Sequence, residues 1–96
     1  MSRKEILNKL NVFKARHAKE YGMLSLGIFG SVARNTANKE SDVDIVVKLK
    51  KQDLFNIIGI KQDLEEILRI PVDVISYREK MNNFLKSRID KEAVYV

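Results

Sequence analysis

The sequence predicts a small α/β domain of two or three layers, with residues 1–96 forming one folding unit. Three observations carry that prediction. Apolar residues recur at helical spacing in three long stretches, short alternating or apolar runs separate them, and turn residues mark the joints. A chain of 96 residues has room for one core. Its 45% apolar and 32% charged content is that of a folded protein rather than a disordered one.

The elements follow in order. Ser2 and Glu5 have the spacing of a capping box, after which Ile6, Leu10, Phe13 and His17 fall on one helical stripe. That helix stops near Tyr21–Gly22, because glycine takes the left-handed C-terminal position at little cost. Leu24, Leu26 and Ile28 then alternate with Ser25, Gly27 and Phe29, the pattern of a first strand ending at Gly30. Residues 31–35 read as a short helical turn, and Asn35 to Ser41 as a polar loop. Asp42 to Leu49 is the clearest strand, with Val43, Ile45, Val47 and Leu49 on one face and Asp42 and Asp44 on the other.

Asp53 is placed to cap a longer helix that carries Leu54, Ile57, Ile58, Leu64, Ile67 and Leu68 at core spacing and ends at Pro71. Gly59 weakens it by about 1 kcal/mol relative to alanine. Val72 to Ser76 reads as a third strand, with Asp73 pointing away from Val72 and Val74. Ser76 and Glu79 repeat the capping-box spacing before a last helix holding Met81, Phe84, Leu85 and Ile89. The tail, Ala93 to Val96, is apolar enough to pair or dock.

Composition also excludes several classes of function. There are no cysteines, hence no disulfide framework, thiolate metal site or thiol nucleophile. The first ten residues lack the continuous apolar core of a signal peptide, and no run approaches the roughly 18 apolar residues of a membrane span. The expected location is the cytoplasm, with no membrane partner. The net charge of +5 admits either attraction to anionic partners or solvated helix faces. No aromatic residues are interleaved with the tightest basic cluster, Lys48, Lys50 and Lys51, as a nucleic-acid stacking surface requires. Direct nucleic-acid binding is therefore not expected.

The acidic pair carries chemistry. Asp42 and Asp44, two residues apart on a strand, share one face with alpha carbons roughly 6.5 to 7 Å apart. Aspartate is depleted in strands, and like charges on one face oppose each other's ionisation. A hard cation such as Mg²⁺ removes that conflict. If the next strand is a neighbour, Asp73 completes a three-carboxylate cluster able to hold two metal ions about 3.5 to 4 Å apart. Gly30–Ser31 follows a strand and precedes a turn, where glycine lets a phosphate approach the backbone and Ser31 adds a hydroxyl donor. The alternative is a plain turn. There is no Walker lysine and no Gly-x-Gly-x-x-Gly, so neither a P-loop nor a dinucleotide fingerprint is present.

Taken together, Gly30-Ser31, Asp42-x-Asp44 and a later strand aspartate, Asp73, resemble the signature of the polymerase-beta-like nucleotidyltransferase superfamily. The fuller string, Gly30-Ser31-Val32-Ala33-Arg34 through Ser41-Asp42-Val43-Asp44-Ile45, is similar to its smallest prokaryotic branch, the minimal nucleotidyltransferases (MNT). These are often encoded beside a HEPN-domain RNase toxin, to which they are the antitoxin. The resemblance runs over essentially the whole chain, to Glu92-Ala93-Val94. It departs at Asn35, where many relatives have glycine.

The resemblance implies the nucleotidyltransferase fold, a small mixed sheet of three or more strands with helices packed on one side and the carboxylates on the exposed side. It implies Mg²⁺-dependent transfer of AMP from ATP onto a tyrosine hydroxyl of a partner HEPN toxin, with pyrophosphate leaving. Carried over, Asp42 and Asp44 bind both metals, Asp73 binds the catalytic metal and helps deprotonate the acceptor, and Gly30 and Ser31 hold the β and γ phosphates. Arg34 has two open readings, a phosphate ligand or a salt bridge pinning the 35–41 loop. His17 is expected to have a packed or partly exposed structural role, and Tyr77 and Tyr95 to pack rather than stack on a base or touch a partner.

A chain too short for an acceptor-binding domain needs its acceptor presented by another molecule, so a heteromeric complex is expected. The alternative is a non-catalytic subunit that neutralises a partner by binding alone. Retention of all three aspartates favours the enzyme.

Overall fold

The computed structural model describes residues 2–34 and 42–96. In chain order the elements are α1 (Arg3–Tyr21), β1 (Met23–Phe29), β2 (Val43–Leu49), α2 (Leu54–Leu68), β3 (Val72–Ser76), α3 (Asn83–Glu92) and β4 (Val94–Tyr95). The strands form one sheet in the order β3-β2-β1-β4. β1 is antiparallel to both β2 and β4, while β2 and β3 are parallel, joined through α2. The sheet is therefore mixed, as expected.

The helix ends obey local rules. Ser2 accepts a hydrogen bond from the Glu5 amide at 3.1 Å, and Gly22 closes α1 in the left-handed conformation. Asp53 caps α2 by accepting from the Phe55 amide at 2.9 Å. α2 ends at Leu68 rather than at Pro71: Arg69 takes the left-handed conformation with φ 59° and returns its amide to Glu65. Gly59 sits in α2 for a packing reason, since a Cβ there would lie 3.0 Å from the Tyr21 ring. That close approach lets the Tyr21 hydroxyl donate to Asp63 Oδ2 at 2.6 Å and tie α1 to α2. Burial, then the bond to Asp63, push the Tyr21 phenol above its ordinary range, so it stays a neutral donor.

The main core lies between the sheet and the two long helices. Val43, Ile45, Val47 and Leu49 of β2 meet Leu26 and Ile28 of β1, Ile6, Leu10 and Phe13 of α1, and Ile60, Leu64 and Leu68 of α2. The opposite face is covered in part: Ile89 of α3 is fully buried against Phe29 and Val46. The tail does pair. Val94 and Tyr95 face Ile28 and Gly27, and the Val96 amide donates to the Leu26 carbonyl at 2.9 Å.

Several expectations need correction. The buried stripe of α2 is Ile60, Leu64 and Leu68, whereas Leu54, Ile58 and Ile67 are exposed. Leu24 is also exposed, because an irregularity between Met23 and Ser25 breaks the alternation at the start of β1. Ser76 does not cap the last helix; it ends β3, and its hydroxyl donates to Gln52. Asn82 is the cap, so Met81 precedes α3, and Phe84 is exposed. The predicted turn holds over residues 31–34, and Asn35 and the loop to Ser41 lie outside the described residues. Among those described, no helix is long and apolar enough to cross a membrane.

Ile89→Ala should lower stability by about 2–4 kcal/mol, because Ile89 is the fully buried side chain that fixes α3 to the sheet. Urea denaturation measures it, and a change below about 0.5 kcal/mol would show that α3 is held elsewhere.

Candidate active site

The two strand aspartates face each other. In the parallel ladder Asp44 of β2 is the register partner of Asp73 of β3, while in the antiparallel ladder Asp44 is the partner of Phe29 at the end of β1. Alternation along β2 puts Asp44 on the face of Val46, opposite the main core. Asp42 immediately precedes β2 and shares that parity. Asp42 and Asp73 are exposed and Asp44 is half-buried. The ends of β1 and the starts of β2 and β3 therefore meet at one margin of the sheet.

Gly30 follows β1 with φ +74°, a conformation side chains rarely adopt. A Cβ at this position would collide with Asp44 Oδ2. Both constraints demand glycine, and the second ties it to the carboxylate. From Gly30 the chain turns at Ser31, with the Arg34 amide donating to the Gly30 carbonyl at 3.0 Å. Val32 and Ala33 are buried in the main core and anchor the turn.

Electrostatics single out Asp44. Its carboxyl is raised above the ordinary value of 3.8, first by burial and next by the negative charge of Asp73; Asp42 adds to this, while Arg88 and Arg34 oppose it. A carboxylate held among like charges fits a hard cation in kind, since Mg²⁺ takes carboxylate oxygens. Among the described residues, no three carboxylate or imidazole groups yet stand together closely enough to hold a metal. Asp44 and Asp73 are aligned in register, with Asp42 just ahead of β2, without being closed into a cage.

Arg34 Nη1 pairs with Glu92 Oε2 of α3 at 2.9 Å, a salt bridge to a helix rather than within the turn's own loop. Arg88 reaches the same oxygen at 3.8 Å. Sequence reasoning passed over Arg88 and Glu92. Their four-residue spacing marks them as neighbours on a helix, but only the docking of α3 through Ile89 brings them to the Asp44 face of the sheet and Glu92 onto Arg34. His17 lies against Phe13 at 4.7 Å and bonds to Glu20, and the Tyr77 hydroxyl donates to Asp90 at 2.9 Å, so both have structural partners. An apolar groove of about 320 Å³ lined by Val12, Phe13 and Ile67 lies on the helical side, across the sheet from the carboxylates.

Comparison with known proteins points the same way. A family model described as a nucleotidyltransferase domain matches residues 10–96. The protein adenylyltransferase MntA of Thermococcus cleftensis is 35% identical over 97 residues, covering 96% of this chain and 93% of that protein. A solved candidate minimal nucleotidyltransferase superposes with a TM-score of 0.78 at 26% identity, covering 98% of this chain and 95% of its own. A chain from the solved complex of a tri-AMPylated Shewanella oneidensis HEPN toxin with its MNT antitoxin has the same fold. Its TM-score is 0.65 at 20% identity, over 93% of this chain and 68% of that one.

Gly30→Ala should cost at least about 1–2 kcal/mol in urea denaturation from the left-handed backbone alone, with the added methyl also displacing Asp44. A variant as stable as the wild type would disprove the close approach. The pH dependence of Asp44 has a definite sign. Its folded pKa is raised, so the folded state holds the proton more tightly than the unfolded chain and loses stability as pH climbs above 3.8. Metal-free Asp44→Asn should therefore melt higher than wild type at pH 7, and the gap should narrow towards pH 3. A gap independent of pH would refute the assignment.

Proposed function

The chain belongs to the nucleotidyltransferase domain family, and from that premise we propose that it transfers AMP from ATP to a hydroxyl of a HEPN toxin, acting as its antitoxin. The observation that carries the reading is the in-register pair Asp44 and Asp73 with Gly30 pressed against Asp44. It brings acidic groups and a side-chain-free turn together, as a triphosphate and an attacking hydroxyl require. The matching relative named as a protein adenylyltransferase supports the choice of a protein as acceptor. The AMPylated HEPN toxin in the complex of like fold supports the choice of partner. Residues 1–96 would act as one nucleotidyltransferase unit in a heteromeric complex that supplies the acceptor, a tyrosine.

The chemistry follows from the residues. Gly30 keeps space open beside Asp44, and Ser31 begins the turn that receives the β and γ phosphates. Asp42, Asp44 and Asp73 would hold Mg²⁺, which when bound supplies positive charge to the triphosphate and removes the like-charge conflict at Asp44. Asp73, exposed on β3, takes the proton of the acceptor hydroxyl. The acceptor oxygen then bonds to the α-phosphorus. The bond from that phosphorus to the α–β bridging oxygen breaks, and its electron pair leaves with pyrophosphate. A face covered only in part by α3 leaves room for a protein to present the acceptor.

The test is transfer of label from ATP labelled at the α-phosphate to the HEPN toxin in the presence of Mg²⁺. Wild type should label the toxin, and Asp42→Asn/Asp44→Asn should lower the rate by about three orders of magnitude or more. Label that persists in the double variant would remove the aspartates from the mechanism. Neutralisation of the toxin without any label transfer would instead establish inhibition by binding alone.

A further inference from the structure

Two guanidinium groups share one carboxylate oxygen at the margin of this site. Arg34 ends the turn that follows Gly30, and Arg88 lies one helical turn before Glu92 on α3; both reach Glu92 Oε2, at 2.9 and 3.8 Å. An isolated surface pair of this kind contributes little to stability. Three features set this group apart. Two cations meet one anion, so the trio carries a net positive charge. It joins segments far apart in the chain, 58 residues for Arg34 and Glu92. The backbone that carries Arg88 and Glu92 is fixed, because Ile89 is fully buried against Phe29 and Val46 on the face of Asp44.

The backbone places the trio beside Asp44: Arg34 ends the turn from Gly30, which lies against Asp44, and Arg88 precedes Ile89, which is buried against Phe29, the register partner of Asp44. Side-chain exposures of 46% for Arg34 and 42% for Arg88 leave both guanidinium groups open to a ligand. Each carries five N–H donors in a planar fork, more than a single Glu92 oxygen can engage, and that fork matches phosphate oxygens. The sequence leaves Arg34 between a phosphate role and a salt bridge; the structure adds a second guanidinium from α3 and a carboxylate that both reach.

We propose that Arg34 and Arg88, held side by side by Glu92, form a guanidinium pair that binds the triphosphate of the donor and the pyrophosphate that leaves. This rests on the nucleotidyl-transfer reading above and extends it to α3. When the bond between the α-phosphorus and the bridging oxygen breaks, negative charge gathers on the departing pyrophosphate, and fixed N–H forks stabilise it there. Glu92 is a positioning residue, since its role is exercised through the two arginines.

Isothermal titration of the full chain with ATP, inorganic pyrophosphate and AMP, each with Mg²⁺, tests the pair. Arg88→Gln should weaken ATP and pyrophosphate about tenfold while leaving AMP within about twofold, because AMP lacks the β and γ phosphates. Arg88→Lys should recover only part of the loss, since a point charge replaces a fork. Glu92→Gln should weaken ATP by a smaller factor, again without affecting AMP, and Glu92→Asp should restore part of it. Circular dichroism melts establish that each variant is folded, and if Arg88→Gln is not, Arg88→Lys carries the comparison.

Unchanged ATP and pyrophosphate affinity in Arg88→Gln, or an equal loss for AMP, would overturn the pair while leaving the transfer reading intact. Wild-type protein that binds neither ATP nor pyrophosphate would overturn both. Glu92→Gln binding ATP as tightly as wild type would overturn the positioning role.

Discussion

Strand β2 lies between an antiparallel neighbour and a parallel one, with an apolar face against two helices and an acidic residue on its other face. Its register is the constraint on which everything else depends. The side-chain period of a strand is two, so a slip of one residue would turn Val43, Ile45 and Val47 out of the core and Asp44 into it. The apolar face thus does more than stabilise. It fixes which way Asp44 points, and the parallel ladder fixes that Asp73 stands opposite.

That arrangement has a cost which the surroundings spread out. Burial and a like charge raise the Asp44 carboxyl, and the nearby arginines offset part of the effect. Such a cluster persists because the core does not depend on it: Leu10, Leu26, Ile28, Ile45, Ile60, Leu64 and Leu68 are fully buried on the far face. The tail strand adds to that framework, with Val96 bonded to Leu26 and receiving Lys14 Nζ on its carbonyl at 2.8 Å. The main core is concentrated on one side of the sheet and the acidic residues on the other.

Much of this was legible in the sequence because it is written in local terms. Ser2, Gly22 and Asp53 announce helix ends through hydrogen bonds only a few residues long, and the alternation from Asp42 to Leu49 defines the faces of β2. What escaped was set by tertiary packing. The α2 sequence is apolar around more of its circumference than it buries, so periodicity alone could not choose Ile60 over Leu54 and Ile58. The Ser76 and Glu79 spacing imitates a cap, yet β3 claims Ser76 for the sheet. Arg88 and Glu92 have only the four-residue spacing of a helical charge pair, and their place on the Asp44 face of the sheet depends on a contact between Ile89 and strands far away in sequence.

The alternation of β2 also sorts the consequences of variation. Odd-numbered positions from Val43 to Leu49 lie in the main core, while Asp42 and Asp44 carry charge on the other side. Random change at the odd positions will mostly reduce how much folded protein a cell keeps, whereas change at Asp42 or Asp44 spares the core and alters the charge of the opposite face. Under the proposed function, adjacent codons in this one strand answer to different selective pressures, one on abundance and one on reactivity. With the roles proposed for them, altering Asp42 and Asp44 would let a lineage lose or redirect the chemistry while keeping the scaffold at full cellular level.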